Sequence, residues 1–598
     1  MMFLADDGTV AVSDMACAED PRETVISISA VCGFDDTDAV PDGSSLGAFG
    51  YLFGQTSLFP DDPRMADALD ALAMSMVDAP ISVSSDSDIP PIFTCFGQFI
   101  EHDILATAEM IAGLSAVDAP IVEPLSRKTV AQNLKNLRSG KLELGSVYGK
   151  AAMQGPWSER FSKLLRSSDD PAKLRAGSVA PGRLKPIPNP RDPSDRARDV
   201  LRLGHVLDSE RPALNSTDVE MLPPSVRAIF TDRKGGLRRQ RALTGDLRND
   251  KNLLLSQFHL AWVRLHNRFV TCIDNDQGPN EDREAVFDHA AKMVRWHYQW
   301  LVINAFLPAV CDAKTLKDIM GRGSILYDQF VEKTGQSGDQ TLPIPLEFST
   351  AAFRFGHAMM RESYDWNRIF GRLHDEPLDE YATLELLHRM TGNGDHPMSS
   401  SQEIPSAPSV PEHWSIEWDR FIYPPCPDMP ERSARRIMPN LSKTQSFDIF
   451  VETSQDYAVP QDLARLDLRR STRFNLPSAQ DCITQINAIT NIPLRRLSSY
   501  RLGSGPTGSV VQEGRFDEHT PIWFYILKEA EVLGQGGRLG PLGTHLIADT
   551  LLGLITHDED SFWHVGEGNG SWHPKDGICP DGVEITSMPA LMEAAQLL

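Results

Sequence analysis

Apolar residues recur at helical spacing through most of the chain after about residue 90, while alternating, strand-like patterns are few and short. The clearest stretch runs from Leu253 to Phe269. There Leu255, Phe258, Trp262, Leu265 and Phe269 follow at intervals of 3, 4, 3 and 4 and form one apolar face. The charged segment DNDQGPNEDR at 274–283 is expected to break it, with a second helix continuing through HYQWLVINAFL at 297–307. Helical spacing also covers IFTCFGQFIEHDILATAEMIAG at 92–113, and PIPLEFSTAAFRFGHAMMRESY at 343–364 reads as an entry loop followed by a helix. Residues 131–165 are mixed. PGRLKPIPNPRDPSDR at 181–196 and MSSSQEIPSAPSVPE at 398–412 read as loops, and the chain beyond Pro521 alternates helix patterns with glycine-rich turns. Residues 1–90 are rich in Asp, Ser and Pro and read as an irregular leading segment.

These elements predict an all-α fold with few short strands: one large domain over 91–598 behind a leading segment over 1–90. A chain of 598 residues, 41% hydrophobic, buries a large core. The net charge of −24 argues against a nucleic-acid partner, because phosphate contacts need basic patches. No apolar run approaches a membrane span, and the first ten residues, MMFLADDGTV, do not resemble a secretory signal. The expected location is therefore cytoplasmic, or outside the cell by leaderless export. The eight cysteines form no C-x-x-C pair, so neither a zinc site nor a dense disulfide framework is indicated.

Four segments hold candidate chemistry. In FGQFIEHDI (96–104), Gln98, Glu101 and His102 share one helix face; the plain alternative is a buried histidine satisfied by its neighbours. LTGDLRNDKN (243–252) places Arg248 at the entrance of the strong helix, where it reads equally as a cap. In AAFRFGHAMM (351–360), Arg354 and His357 lie three apart, and Gly356 leaves room beside His357 for a flat ligand. A neutral imidazole there would suit iron. LARLDLRRSTRFNLPS (463–478) offers Asp467, a carboxylate able to accept the second ring N–H of a ligating histidine.

In this order the four segments resemble the animal haem peroxidase family, within the peroxidase–cyclooxygenase superfamily and nearest its soluble bacterial members. FGQFIEHD is similar to the family's W-G-Q-F-x-D-H-D, GDLRND to its arginine segment, FRFGH to its proximal helix, and LDLRRSTRFNLPS to L-N-x-x-R-G-R-D-H-G-L-P. LELGSVYG, HLAWVRLHNR, VRWHYQW, IPLEFS and TPIWFYILKEAE are further matches, nine segments in all, across roughly residues 90–560. The resemblance implies a haem b enzyme that reduces hydrogen peroxide and oxidises a small donor (halide, thiocyanate or phenol) through a ferryl intermediate, a chemistry associated with oxidative stress. It implies His102 as distal base, Gln98 orienting distal water or halide, and Arg248 stabilising charge as the O–O bond breaks. His357 would ligate the iron, with Arg354 and Arg470 pairing with the haem propionates.

Three departures from the family pattern stand out. The partner of the proximal histidine, usually Asn, is Asp467, which should lower the iron's reduction potential. The two positions that form ester links to haem in mammalian members are Glu101 and Lys251; lysine cannot form an ester, so at most one link, through Glu101, is expected. The family's calcium positions hold Asp103, Ser139, Glu143 and Gly145, with Lys141 giving only a carbonyl, fewer oxygen ligands than the six to eight calcium usually takes.

Alternatives are a fatty-acid dioxygenase of the same superfamily or a catalytically inactive haem-binding protein. The dioxygenases carry a radical-forming Tyr where Arg354 stands, and Tyr364 is not at the matching place. An inactive relative would lack the distal His or Arg. His259, His266 and His297 read as packed helix histidines, Glu385 and His388 as one isolated E-x-x-H spacing, and GQGGRLG (534–540) as a turn.

Overall fold

A computed structural model describes residues 9–11, 46–54, 64–77, 86–111, 113–117, 122–149, 162–180, 194–209, 219–220, 227, 230–231, 235–278, 282–335, 341–373, 376–377, 380–391, 409–426, 428–442, 463–565 and 572–598. Most of the two loops expected at 181–196 and 398–412 lies outside them. The described chain is predominantly helical.

Helix α1 (Met65–Met76) falls in the stretch expected to be irregular. It buries Met65, Leu69, Leu72 and Met76, a helical stripe whose signal is diluted by the small alanines between. Its Asp70 meets Arg465 at 3.2 Å and Arg469 at 2.6 Å, and so joins the leading segment to the chain's second half. Glu347, buried, accepts the N–H groups of Leu52 (2.9 Å) and Phe53 (3.2 Å) and anchors the same segment from another direction.

Helix α2 (Ile92–Ile104) starts after Pro91 and presents Phe96, Phe99 and Ile100 to the core. It stops nine residues before the periodicity does. Asn136, fully buried, donates to Ile104 O (2.8 Å) and accepts from Ala106 N (2.9 Å), and so ends the helix and turns the chain into a strand. Tertiary pairing overrides the local pattern there. That strand belongs to a small sheet of β1 (Thr9–Ala11), β2 (Gly47–Gly50), β3 (Thr107–Glu109), β4 (Leu134–Asn136) and β5 (Ile344–Pro345), in the order β1-β3-β4-β2-β5. Thr107 pairs with Asn136 in antiparallel register.

Helix α3 (Leu253–Gln277) is capped by Asn252, whose side chain accepts from Leu255 N at 2.8 Å. It runs through the polar DNDQ turn and stops only at Gly278, at φ 76°. Helix α4 (Arg283–Leu301) packs alongside it. Phe99 stacks on Trp262 (6.1 Å), Phe96 meets Phe258 edge-on (5.6 Å), and Trp262 meets Tyr298 (5.5 Å), so one aromatic cluster fixes α2 against α3 and α4. Each such pair contributes about 0.5–1.5 kcal/mol beyond its buried area. Helices α5 (Leu463–Arg473) and α6 (Ile522–Gly534) complete the surroundings of the site.

Candidate active site

On α2, His102 is buried, with Nδ1 2.9 Å from Asn249 Oδ1. Asn249 Nδ2 in turn lies 3.1 Å from His259 Nδ1 on α3. An imidazole that donates from Nδ1 to an amide oxygen keeps its lone pair on Nε2, the tautomer a proton acceptor needs. Burial first, then the charge of Arg248, hold the His102 pKa well below the ordinary histidine value, so the ring is neutral at physiological pH. Asn249 escaped sequence reasoning, and His259 was read only as packing. The signal was the asparagine beside the candidate arginine.

Arg248 sits in a single 3₁₀ turn (Leu247–Asp250) before α3. Its Nη2 bonds Asp246 Oδ2 (2.7 Å) and the carbonyl oxygens of His102 (3.1 Å) and Leu105 (2.5 Å). A guanidinium on the last carbonyls of a helix satisfies acceptors that the helix leaves open. Asp246 is also bonded by Arg138, and although burial opposes its ionisation, the two guanidiniums hold its carboxyl far below the usual range. The arginine is thus both a clamp on the end of α2 and a neighbour of His102. Gln98, one turn before His102, accepts from Asn252 Nδ2 at 3.4 Å. Lys251 is near enough for its charge to act on His102.

His357 and Arg354 lie on a 3₁₀ turn (Ala352–Met359) rather than an α-helix. Three residues per turn place them on the same side. His357 Nδ1 is 2.7 Å from Asp467 Oδ2 on α5, and Arg470, one turn on, is 3.6 Å from Asp467 Oδ1. Donation from Nδ1 to the carboxylate leaves the lone pair on Nε2, the atom a metal would take. A Cβ added at Gly356 would meet no atom within 4 Å, so the space beside His357 is open.

Arg354 Nη1 is 3.1 Å from Glu101 Oε1, which ties the proximal turn to α2. Arg354 and Arg470 also line one small cleft, with Leu105, Thr350 and Phe474 among its walls. Ser349, another wall, has a buried hydroxyl without a hydrogen-bond partner among the described residues. Two guanidiniums, an unsatisfied hydroxyl and apolar walls suit the carboxylate-bearing edge of an apolar ligand. Haem has that chemistry.

The residue after His102, Asp103, is buried and accepts from Leu144 N (3.0 Å) and Ser146 N (3.4 Å). Burial and the charge of Glu143 push its carboxyl up to about 7. Ser139 Oγ donates to Glu143 Oε1 at 2.6 Å, so Asp103 holds the loop that carries both other residues. Among the described residues no group of three His, Cys, Asp or Glu side chains stands close enough to hold a metal ion. His266 and His297 are packed: His266 meets Ala172 O (2.9 Å) and Tyr148 Oη (3.2 Å), and His297 meets Met293 O (2.7 Å). His388 meets Leu384 O at 2.6 Å, while the side chain of Glu385 lies outside the described residues. GQGGRLG is the end of α6, with Gln535 at φ 51°.

Residues 206–392 match the family profile described as animal haem peroxidase. The chain is 30% identical over 118 residues to a peroxidasin homolog of Caenorhabditis elegans, a match that covers 20% of this chain and 8% of that protein. It is 22% identical over 329 residues to thyroid peroxidase of Sus scrofa, covering 54% of this chain and 31% of the relative. These matches therefore span only a minor part of those relatives' length. Among solved structures, peroxidase A from Dictyostelium discoideum aligns over 95% of this chain and 96% of its own, with TM-score 0.54 and 14% identity. A fatty acid alpha-dioxygenase from Oryza sativa aligns over 92% and 84%, with TM-score 0.51 and 12% identity. Both share the fold of this chain.

Proposed function

We propose that this chain, whose residues 206–392 match the animal haem peroxidase profile, reduces hydrogen peroxide and oxidises a small donor at the site built by His102, Arg248 and His357. The observation that carries the reading is the pair of histidines with opposite duties. Each has its Nδ1 engaged, His102 by an amide and His357 by a carboxylate, so each keeps Nε2 as its lone-pair atom.

Haem bound here supplies an iron that receives peroxide and stores its oxidising equivalents. His357 Nε2 would hold that iron, and Asp467, through Nδ1, raises the basicity of the ring. Arg354 and Arg470 would take the ring's carboxylates, as their cleft suggests. His102 Nε2 takes a proton from incoming peroxide and returns it to the departing oxygen. Arg248, fixed beside the carbonyl of His102, places a positive charge where negative charge develops. Gln98, on the His102 face, orients water or a halide. The donor is a halide, thiocyanate or phenol.

Lys251 forms no ester, so the proposed haem carries at most one covalent link, through Glu101, whose carboxylate meets Arg354 at 3.1 Å. Asp103, in the last turn of α2, and Ser139 and Glu143, on the loop that Asp103 holds, are the proposed calcium oxygens, with water completing the set. No helix among the described residues is long and apolar enough to cross a membrane.

The test is peroxide-dependent oxidation of guaiacol by haem-reconstituted protein. Turnover that His102→Ala lowers by about 100-fold or more is expected, the contribution typical of a positioned base. Equal turnover in both proteins contradicts the assignment, and oxygen uptake with palmitate instead of guaiacol turnover points to dioxygenase chemistry.

A further inference from the structure

The 3₁₀ turn that carries Arg248 and Asn249 ends at Asp250, and all three residues are buried. Arg248 and Asn249 meet the end of α2 and the His102 ring. Asp250 is engaged elsewhere, by Arg202. Its Oδ2 accepts from Arg202 Nη1 at 3.0 Å and its Oδ1 from Nη2 at 3.4 Å. The same guanidinium forks onto Asp199, with Nε 2.7 Å from Oδ2 and Nη2 2.9 Å from Oδ1. Its Nη1 also donates to the carbonyl of Gln240 at 2.8 Å. Arg202 and both carboxylates are at most 1% exposed.

The outer end of this set is fixed. Asp199 exchanges both backbone hydrogen bonds with Gly177 (2.9 and 3.1 Å), and its Oδ2 accepts from Val410 N at 3.0 Å. On either side of Arg202 the chain pairs with the approach to the turn: Leu243 N donates to Leu201 O at 2.7 Å, and Leu203 N to Arg241 O at 2.8 Å. Arg202 therefore holds both the approach to the turn and its last residue, while Asp246, just before the turn, is held by Arg138 and Arg248. Apolar side chains of similar volume would join these segments without taking three charges out of water. What a guanidinium forked onto two carboxylates adds is direction: its planar donors fix Asp250 and with it the rotation of the turn about its own axis. In so tight a turn, a rotation that moves Asp250 carries Arg248 and Asn249 with it.

We propose that Arg202 is a positioning residue for peroxide cleavage: anchored on Asp199, it holds Asp250 so that Arg248 and Asn249 stand against His102. This rests on the peroxidase reading above. Arg202 makes no hydrogen bond to His102, Arg248 or Asn249 among the described residues; it acts through the turn.

The experiment uses full-length, haem-reconstituted protein, with rates expressed per haem from the Soret absorbance. Arg202→Lys keeps the buried charge and loses the fork. It should lower kcat/KM for hydrogen peroxide by about tenfold or more and leave kcat/KM for guaiacol unchanged, because the turn serves peroxide cleavage and not the later oxidation of the donor. Asp250→Asn, which keeps the shape of the side chain, should lower the same constant and carries the test where Arg202→Lys takes up no haem. Asp365→Asn breaks a different buried set, with Arg420 and Arg432, and should leave both constants unchanged. Added to Asn249→Ala, the Arg202 or Asp250 substitution should cost clearly less than it does alone, since part of its effect runs through Asn249. Parent-like peroxide constants in the Arg202 and Asp250 variants, an equal fall in Asp365→Asn, or losses that multiply fully with Asn249→Ala would each overturn the proposal and leave the peroxidase reading intact. Absence of guaiacol turnover in the parent protein would overturn both.

Discussion

His357 Nδ1 and Asp467 Oδ2 stand 2.7 Å apart, a carboxylate buried on α5 meeting the imidazole of the proximal turn. The expectation from sequence was a lower reduction potential than an asparagine partner would give, and the contact supplies the means. In haem-reconstituted protein, Asp467→Asn should raise the Fe(III)/Fe(II) midpoint potential and weaken haem retention by about 10- to 100-fold, the usual effect of losing such a partner. Redox titration and haem transfer to apomyoglobin measure the two effects. A midpoint that hardly moves would show that the carboxylate does not reach the iron electronically.

The chain from His102 through Asn249 to His259 fixes which ring nitrogen of His102 carries the proton. Asn249→Ala removes the acceptor and frees the ring to adopt the other tautomer. The second-order rate constant for the reaction with peroxide should fall by roughly 10- to 100-fold, with the far-ultraviolet circular dichroism unchanged. Rapid-mixing absorbance reads the rate, and an Asn249→Ala protein as fast as the parent would remove Asn249 from the account.

Arg248 has a structural duty beside its chemical one. Its guanidinium joins buried Asp246 to the last carbonyls of α2, so Arg248→Gln breaks a buried ion pair and opens that helix end. The expected loss is roughly 3–5 kcal/mol of stability, read by urea unfolding. Gln98→Ala, which removes only a long hydrogen bond to Asn252, should cost far less. Equal losses in the two variants would argue that the clamp contributes little.

Glu529 on α6 is buried, accepts from Leu542 N at 2.9 Å, and has its carboxyl pushed by that burial up to about 8. Between that value and the ordinary carboxylate range, the folded chain binds a proton that the unfolded chain has released. Stability from this site therefore grows as pH falls from 8 toward 5, by at most about 1.4 kcal/mol per pH unit, and is lost as pH rises through 8. Glu529→Gln keeps the acceptor and removes the titration. The difference in unfolding free energy between parent and variant should change with pH in that window; a constant difference would place the Glu529 carboxyl in the normal range.

Much of this was legible in the sequence, for a physical reason that also marks its limit. The apolar stripe of α3 needs no partner to be recognised, because its period is its own. The end of α2 is set by Asn136, more than 30 residues away, so local spacing overran it by nine residues. The stripe of α1 was missed because alanines and methionines carry weak signals. In the site, His102, Arg248 and His357 were singled out by the resemblance of their segments to the family's motifs, since spacing alone read equally as packed histidines and a helix cap. Asn249 and His259 were not, because their role is a contact between elements and no spacing encodes it. Arg354 was expected to face a haem carboxylate; the structure pairs it with Glu101, a contact across elements that only assembly reveals.

The most direct test of the central claim is the absorption spectrum of haem-reconstituted protein before and after one equivalent of hydrogen peroxide. The account predicts a Soret band that loses intensity and shifts within the mixing time in the parent protein, and a slow or absent response in His102→Ala. A protein that takes up no haem despite ample supply, or one whose Soret response to peroxide is the same without His102, would contradict it.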